Sequence, residues 1–147
     1  MLVIFEGKSS KVSFDEFCDM AMYFCGLLLE PDDIDDLELT ISFETDLAVR
    51  NWNGYCETGD SDKQFLIWIR RSKSAAIQAE TLAHEMVHVK QYIRGEMAED
   101  GQHTSPVLRS WGGCGSYAEN TVEIEAFGRT HGLINRYNLH KQEKIDV

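Results

Sequence analysis

The sequence predicts a single α+β domain over residues 1–147. Two long segments repeat apolar residues at helical spacing, and between them lie shorter segments that alternate or are wholly apolar, as strands do. A chain of 147 residues with 43% hydrophobic side chains can form one hydrophobic core. We therefore expect an N-terminal helix, a small mixed sheet of three to four strands, a second helix, an irregular segment and a closing helix.

The first predicted helix covers about Phe14 to Leu29. Apolar residues recur there at three- and four-residue spacing, which is the pattern of an amphipathic helix. Ser13 and Glu16 form a capping box, which satisfies free amides at a helix start. Pro31 and the acidic run 32–36 predict a turn after the helix.

Three strands are predicted next. Leu37 to Phe43 alternates apolar and polar residues and so predicts a half-buried strand. A short strand around Tyr55–Glu57 lies between turn signals at Asn53–Gly54 and 58–62. We expect it to be an exposed edge that pairs with an extended peptide. Phe65 to Ile69 is apolar on both faces, which predicts the central strand of the sheet.

The second predicted helix runs from about Ser74 to Arg94 and is stopped by Gly95. Residues 95–119 are rich in glycine, serine and polar side chains and predict an irregular segment. Val107 to Trp111 is a candidate short strand or hairpin arm within it.

The closing helix is predicted to start at Thr121, with Asn120 as its cap, and to run to about Tyr137. The tail from Lys141 onward is polar and is expected to fray.

The charge of the chain bears on its partners and location. A formal net charge of −11 opposes non-specific contact with nucleic acid or anionic membranes, so nucleic acid is an unlikely partner. The chain contains no run of eighteen apolar residues, so no membrane span is predicted. The N-terminus lacks the basic region of a signal peptide. We therefore expect a cytoplasmic location, in the host if the chain is phage-encoded; the oligomeric state is not predictable.

The second helix carries the run His84-Glu85-Met86-Val87-His88. Residues four apart lie on one face of a helix, so His84 and His88 can offer their imidazoles to one metal ion. Glu85 is placed beside the first ligand, where a carboxylate takes a proton from a metal-activated water. The motif therefore predicts a zinc site with Glu85 as general base.

A catalytic zinc normally has three protein ligands, and the residues alone leave two candidates for the third. Glu123 follows His88 by 35 positions and lies near the start of the closing helix. His103 follows His88 by 15 positions and lies in the irregular segment.

The run from His84 to Tyr92, a following Trp-Gly segment and the run from Glu123 to Arg129 resemble the small phage- and prophage-type metallopeptidases loosely described as SprT-like. The resemblance covers roughly half of the chain and implies a minimal zincin-like domain. It also implies that Glu123 is the third ligand, because Ala126 follows it three residues later. Thr121 stands where that pattern usually has proline.

Two alternatives to Glu123 stay open. SprT and Spartan proteins place a third histidine at a spacing similar to that of His103, but the Gly-Pro-Glu-Phe expected after it is absent here. Glu125 lies two positions from Glu123, so it points to another part of the helix surface and is expected to make a supporting contact.

Three other polar or aromatic residues have weaker predicted roles. Gln91 lies on the stripe of His84 and His88 and is a candidate to orient a ligand or to line the cleft. Tyr117 is a candidate oxyanion donor or rim residue, and His131 is expected to be structural.

These observations together predict a zinc-dependent metallopeptidase whose partner is a protein or peptide substrate. The alternative is a catalytically silent, zinc-containing binding or virion-associated module on the same scaffold. DNA-linked proteolysis of the Spartan type is disfavoured by the acidic charge and by the lack of a basic or zinc-finger extension.

Overall fold

The computed structural model describes residues 1–45, 52–97 and 121–146. The candidate strand Val107–Trp111, the Asn120 cap, and the residues His103 and Tyr117 lie outside these ranges. The helices and strands, in chain order, are β1 (Leu2–Glu6), α1 (Phe14–Leu28), α2 (Pro31–Asp35), β2 (Glu38–Glu44), β3 (Gly54–Thr58), β4 (Gln64–Arg70), α3 (Ala75–Ile93) and α4 (Thr121–Asp146).

The sheet has four strands in the order β1-β2-β4-β3. The pairs β1–β2 and β2–β4 are parallel, whereas β3 is antiparallel to β4. The prediction of an α+β fold with a small mixed sheet is therefore confirmed. β4 is an inner strand and β3 is an edge strand, both as predicted.

One face of the sheet carries the core. Burial alternates along β4, where Phe65, Ile67 and Ile69 are buried and their neighbours are only partly covered. The apolar composition of both faces of this strand therefore does not mean that both faces are covered. Helix α3 contacts β3 and β4 on one side and α4 on the other, so it lies at the centre of the domain.

Three elements differ from the prediction. β1 was not predicted, because it is only five residues long and its burial alternates between exposed and half-buried; its parallel pairing with β2 stabilises it. The predicted turn after the first helix contains the five-residue helix α2, which has proline in its first turn.

The third difference is the length of α4, which continues to Asp146 instead of ending near Tyr137. Contacts with α1 explain the extension. The Tyr137 hydroxyl donates to Glu16 Oε2 at 3.1 Å, and Lys141 Nζ lies 2.8 Å from Glu16 Oε1. The polar tail is thus fixed by tertiary contacts that its own sequence does not encode.

Within the described ranges, every helix is too short or too polar to cross a membrane.

Candidate metal centre

Helix α3 brings the predicted metal-binding motif into the interior. Its start is capped by Ser74, whose hydroxyl accepts from the Ile77 amide at 3.2 Å, and Gly95 follows its end with a φ of 73°. All residues from Thr81 to Gln91 are buried, including the charged and polar ones. The burial follows from the position of α3 between the sheet and α4.

Both histidines of the motif converge on one carboxylate of α4. His84 Nε2 lies 3.1 Å from Glu123 Oε2, and His88 Nε2 lies 2.7 Å from Glu123 Oε1. At most 10% of each of these three side chains is exposed. The three residues predicted as ligands are therefore brought together, although Glu123 is 35 positions from the nearer histidine.

Glu85 completes a group that could hold a metal ion. Donor atoms of His84, Glu85 and His88 all lie within 4.8 Å of one another. Glu85 is only 4% exposed, and its Oε2 atom is buried without a hydrogen-bond partner among the described residues. Burial raises the pKa of the Glu85 carboxyl above its ordinary value, against the lowering influence of the two imidazoles.

Gln91 determines which nitrogen of His88 faces the site. The Gln91 side-chain nitrogen donates to the Val122 carbonyl at 2.8 Å and to Glu125 Oε1 at 2.9 Å. Its oxygen therefore faces His88 Nδ1, 2.7 Å away, and an amide oxygen can only accept. Nδ1 of His88 therefore carries a proton, and Nε2, which is directed at Glu123, becomes available to a metal when the imidazole is neutral.

The same contacts set the proton affinity of His88. Burial alone would lower its pKa, but the hydrogen bond with Glu123 and the nearby charge of Glu85 outweigh this effect and raise the pKa to about 9. A metal ion must therefore displace a tightly held proton from this site.

A second polar cluster lies beside the first. Lys90, which is 5% exposed, lies 2.7 Å from Glu125 Oε2 and 2.9 Å from Glu96 Oε2. Arg129 reaches the same oxygen of Glu125 at 2.9 Å. Burial favours the neutral form of Glu125, yet hydrogen bonds from Lys90 and Gln91 lower its pKa below the ordinary value. Glu125 is thus engaged by cations and by Gln91.

An open cleft of about 330 Å³ reaches the site between β3, α3 and α4. The Phe127 ring packs edge-on against His84, with ring centroids 4.5 Å apart. His131, which was expected to be structural, is exposed and lines this cleft instead. The described lining residues are Trp52, Asn53, Gly54, Ile77, Glu80, Thr81, His84, Glu85, Phe127, Thr130 and His131.

Sequence reasoning missed the parts of the site that depend on contacts between α3 and α4. The Lys90–Glu125 pair joins residues 35 positions apart, and no local pattern marks it. Phe127 and Glu80 were also missed as cleft residues. Helical spacing was the available signal for Glu80, because it lies four residues before His84.

Comparison with known proteins yields no relative. No family model and no curated protein matches the chain, and no solved structure matches it. The chemistry of the site is therefore argued from its own residues.

Proposed function

We propose that this chain is a zinc-dependent metallopeptidase of the SprT-like kind, with His84, His88 and Glu123 as zinc ligands and Glu85 as general base. The observation that carries the proposal is the convergence of both imidazole Nε2 atoms on the Glu123 carboxylate, beside the buried and partly unsatisfied Glu85. Two imidazoles and one carboxylate are a common ligand set of catalytic zinc sites.

The donor geometry supports zinc. Ligand atoms about 2.1 Å from a tetrahedral ion are about 3.4 Å apart. The distances from Glu123 to His84 and His88 are 3.1 and 2.7 Å, so small side-chain shifts suffice to accommodate an ion. Imidazole and carboxylate donors also bind other divalent metals, but the small ligand number favours zinc over calcium or magnesium.

The metal and Glu85 would have separate roles in peptide hydrolysis. The chemistry that zinc supplies when bound is polarisation of a carbonyl and a lower pKa of a coordinated water. Glu85 takes one proton from the attacking water and delivers it to the leaving amine as the carbon–nitrogen bond breaks. Burial raises the pKa of Glu85 above its ordinary value, which is the direction that an acid–base group working near neutral pH requires.

The position of β3 supports binding of an extended substrate. Within the part of the chain that the structure describes, β3 pairs with β4 alone, and its other edge lies near the cleft to which Gly54 contributes. A peptide that adds a strand at this edge would run along the mouth of the cleft, and its carbonyl groups would pass the motif residues.

The proposal is tested by Glu85→Gln in zinc-loaded protein. The substitution should leave one bound zinc per chain and lower kcat by about 10²- to 10⁴-fold, because it removes the proton-transfer group. Zinc is measured by atomic emission, and turnover with a broad library of fluorogenic peptides. Glu143→Gln, at an exposed site far along α4, is the matched control and should keep both zinc and turnover.

Different failures have different meanings. Wild-type protein that binds no zinc, or zinc binding unchanged by His84→Ala, would contradict the metal site. Full proteolysis by Glu85→Gln would contradict the general base. Full zinc occupancy without turnover of any peptide would favour the alternative, a silent binding or virion-associated module.

A further inference from the structure

Among the described residues of the cleft, Glu80 is the carboxylate that the proposed chemistry does not use. Glu80 is half-buried on α3 and lines the cleft together with His84 and Glu85. It lies four residues, or about 6 Å of helix rise, before His84. Glu80 and His84 are therefore one turn apart on the same side of α3, and both line the cleft.

Among the described residues, no cationic side chain pairs with the carboxylate of Glu80. Of the carboxylates near the site, Glu125 is bound by two cations and Glu123 by two imidazoles. No salt bridge or hydrogen bond joins Glu80 to another side chain among the described residues. Outside the metal centre, the only other titratable group among the described cleft residues is His131, and no ion pair joins it to Glu80.

Three apolar or aromatic side chains line the same cleft as this carboxylate. Ile77 lies about one turn before Glu80 on α3, Phe127 faces the cleft from α4, and Trp52 lines it beside β3. Phe127 and Trp52 are 56% and 40% exposed, so their rings are accessible to a ligand. Apolar walls with one carboxylate complement a long aliphatic chain that ends in a cation.

We infer that this cleft binds a lysine or arginine side chain of the peptide substrate, with its charge at Glu80 and its aliphatic stem on Ile77 and Phe127. The inference rests on the proposed peptidase function and names its substrate class. The net charge of −11 acts in the same direction, since it attracts cationic peptides to the surface. Stacking of a guanidinium on Trp52 or Phe127 adds to the attraction.

The first test compares peptides that differ at one residue. Matched fluorogenic peptides carry lysine, norleucine or glutamate at each position in turn around the cleaved bond; norleucine has a similar chain but no charge. Wild-type protein should prefer lysine to norleucine at one position, measured as kcat/KM. Glu80→Gln should lower this preference by about 10- to 100-fold, and Glu80→Lys should favour glutamate. Glu143→Gln makes the same change in net charge and should keep the preference.

The second test measures binding without turnover. Fluorescence anisotropy gives the Kd of lysine and norleucine peptides for zinc-loaded Glu85→Gln and for the double variant with Glu80→Gln. Tighter binding of lysine that is lost in the double variant supports the inference, even if wild-type protein cleaves nothing and the peptidase proposal fails. Equal kcat/KM values or equal Kd values for the lysine and norleucine peptides would overturn the inference. Such a result would leave the peptidase proposal standing.

Discussion

Two polar clusters lie side by side between α3 and α4, and they differ in how their charges are satisfied. The metal cluster consists of His84, Glu85, His88 and Glu123, and the ionic cluster of Lys90, Glu96, Glu125 and Arg129. Every carboxylate of the ionic cluster meets a cationic side chain. In the metal cluster, the Glu123 carboxylate meets two imidazoles, whereas Glu85 has a buried oxygen without a hydrogen-bond partner in the described ranges.

We interpret this difference as the one expected between a structural ion-pair cluster and the proposed metal site. A buried, ionised group without compensation costs several kcal/mol or more, so the ionic cluster is balanced as folding would require. The metal cluster keeps two buried carboxylates whose balance depends on imidazole protons. A divalent cation with its water would satisfy all of these groups at once, which is the expected signature of a metal centre.

The largest predicted effect distinguishes the two glutamates that belong to the two clusters. Glu123→Gln should weaken zinc binding by about 100- to 1,000-fold, because four-ligand zinc sites bind with about 10–16 kcal/mol in total. Glu125→Gln should weaken it by less than about tenfold, since Glu125 acts only through Gln91. Competition with a chromophoric chelator measures both affinities.

Glu123→Gln and Glu125→Gln serve as controls for each other, because both substitutions remove one charge from the same helix. If Glu125→Gln lost zinc while Glu123→Gln retained it, the assignment of the two clusters would be reversed. If neither variant changed the affinity, His103 would become the remaining candidate for the third ligand.

The second prediction concerns the stability that the ionic cluster supplies. Lys90→Met should lower the free energy of unfolding by about 2 kcal/mol, because it leaves Glu125 and Glu96 without their buried partner. Arg129 and partial solvent access keep the loss below that of a fully buried pair. Urea unfolding in the presence of a chelator measures the loss without the contribution of bound metal.

Lys63→Met is the matched control for this prediction. Its salt bridge with Asp33 is also short, at 2.8 Å, but about 30% of each side chain is exposed. Solvent screening should limit the loss there to about 0–1 kcal/mol. Equal losses at Lys63 and Lys90 would mean that burial of the ionic cluster contributes nothing.

The local structure of α3 and of its motif was predictable from the sequence. The contacts between α3 and α4 were not. Helical spacing placed His84, Glu85 and His88 on one helix, and Gly95 marked the end of α3. The sheet was also predictable, apart from β1, whose pairing with β2 depends on a partner more than thirty positions away.

The contacts across α3 and α4 depend on how two helices far apart in sequence pack. Glu123 was assigned as a ligand by resemblance, because spacing alone left His103 equally open. The partners of Lys90 and Glu125 could not be predicted, since nothing in either segment marks the other. Gln91 was placed on the correct stripe, but the direction of its amide depends on Val122 and Glu125 of the other helix.

The smallest predicted effect tests the residue that joins the two clusters. Gln91→Met removes the acceptor of the His88 Nδ1 proton and the donor to Glu125 while preserving side-chain size. The imidazole can then rotate or change tautomer, so zinc affinity should fall by about tenfold with one site retained. Gln78→Met is the matched control: Gln78 is also fully buried on α3, but its amide donates to Arg71 and Lys73 carbonyls at the other end. The control should lose stability with no change in zinc affinity, and a similar loss of affinity in both variants would show that Gln91 acts only through the helix fold.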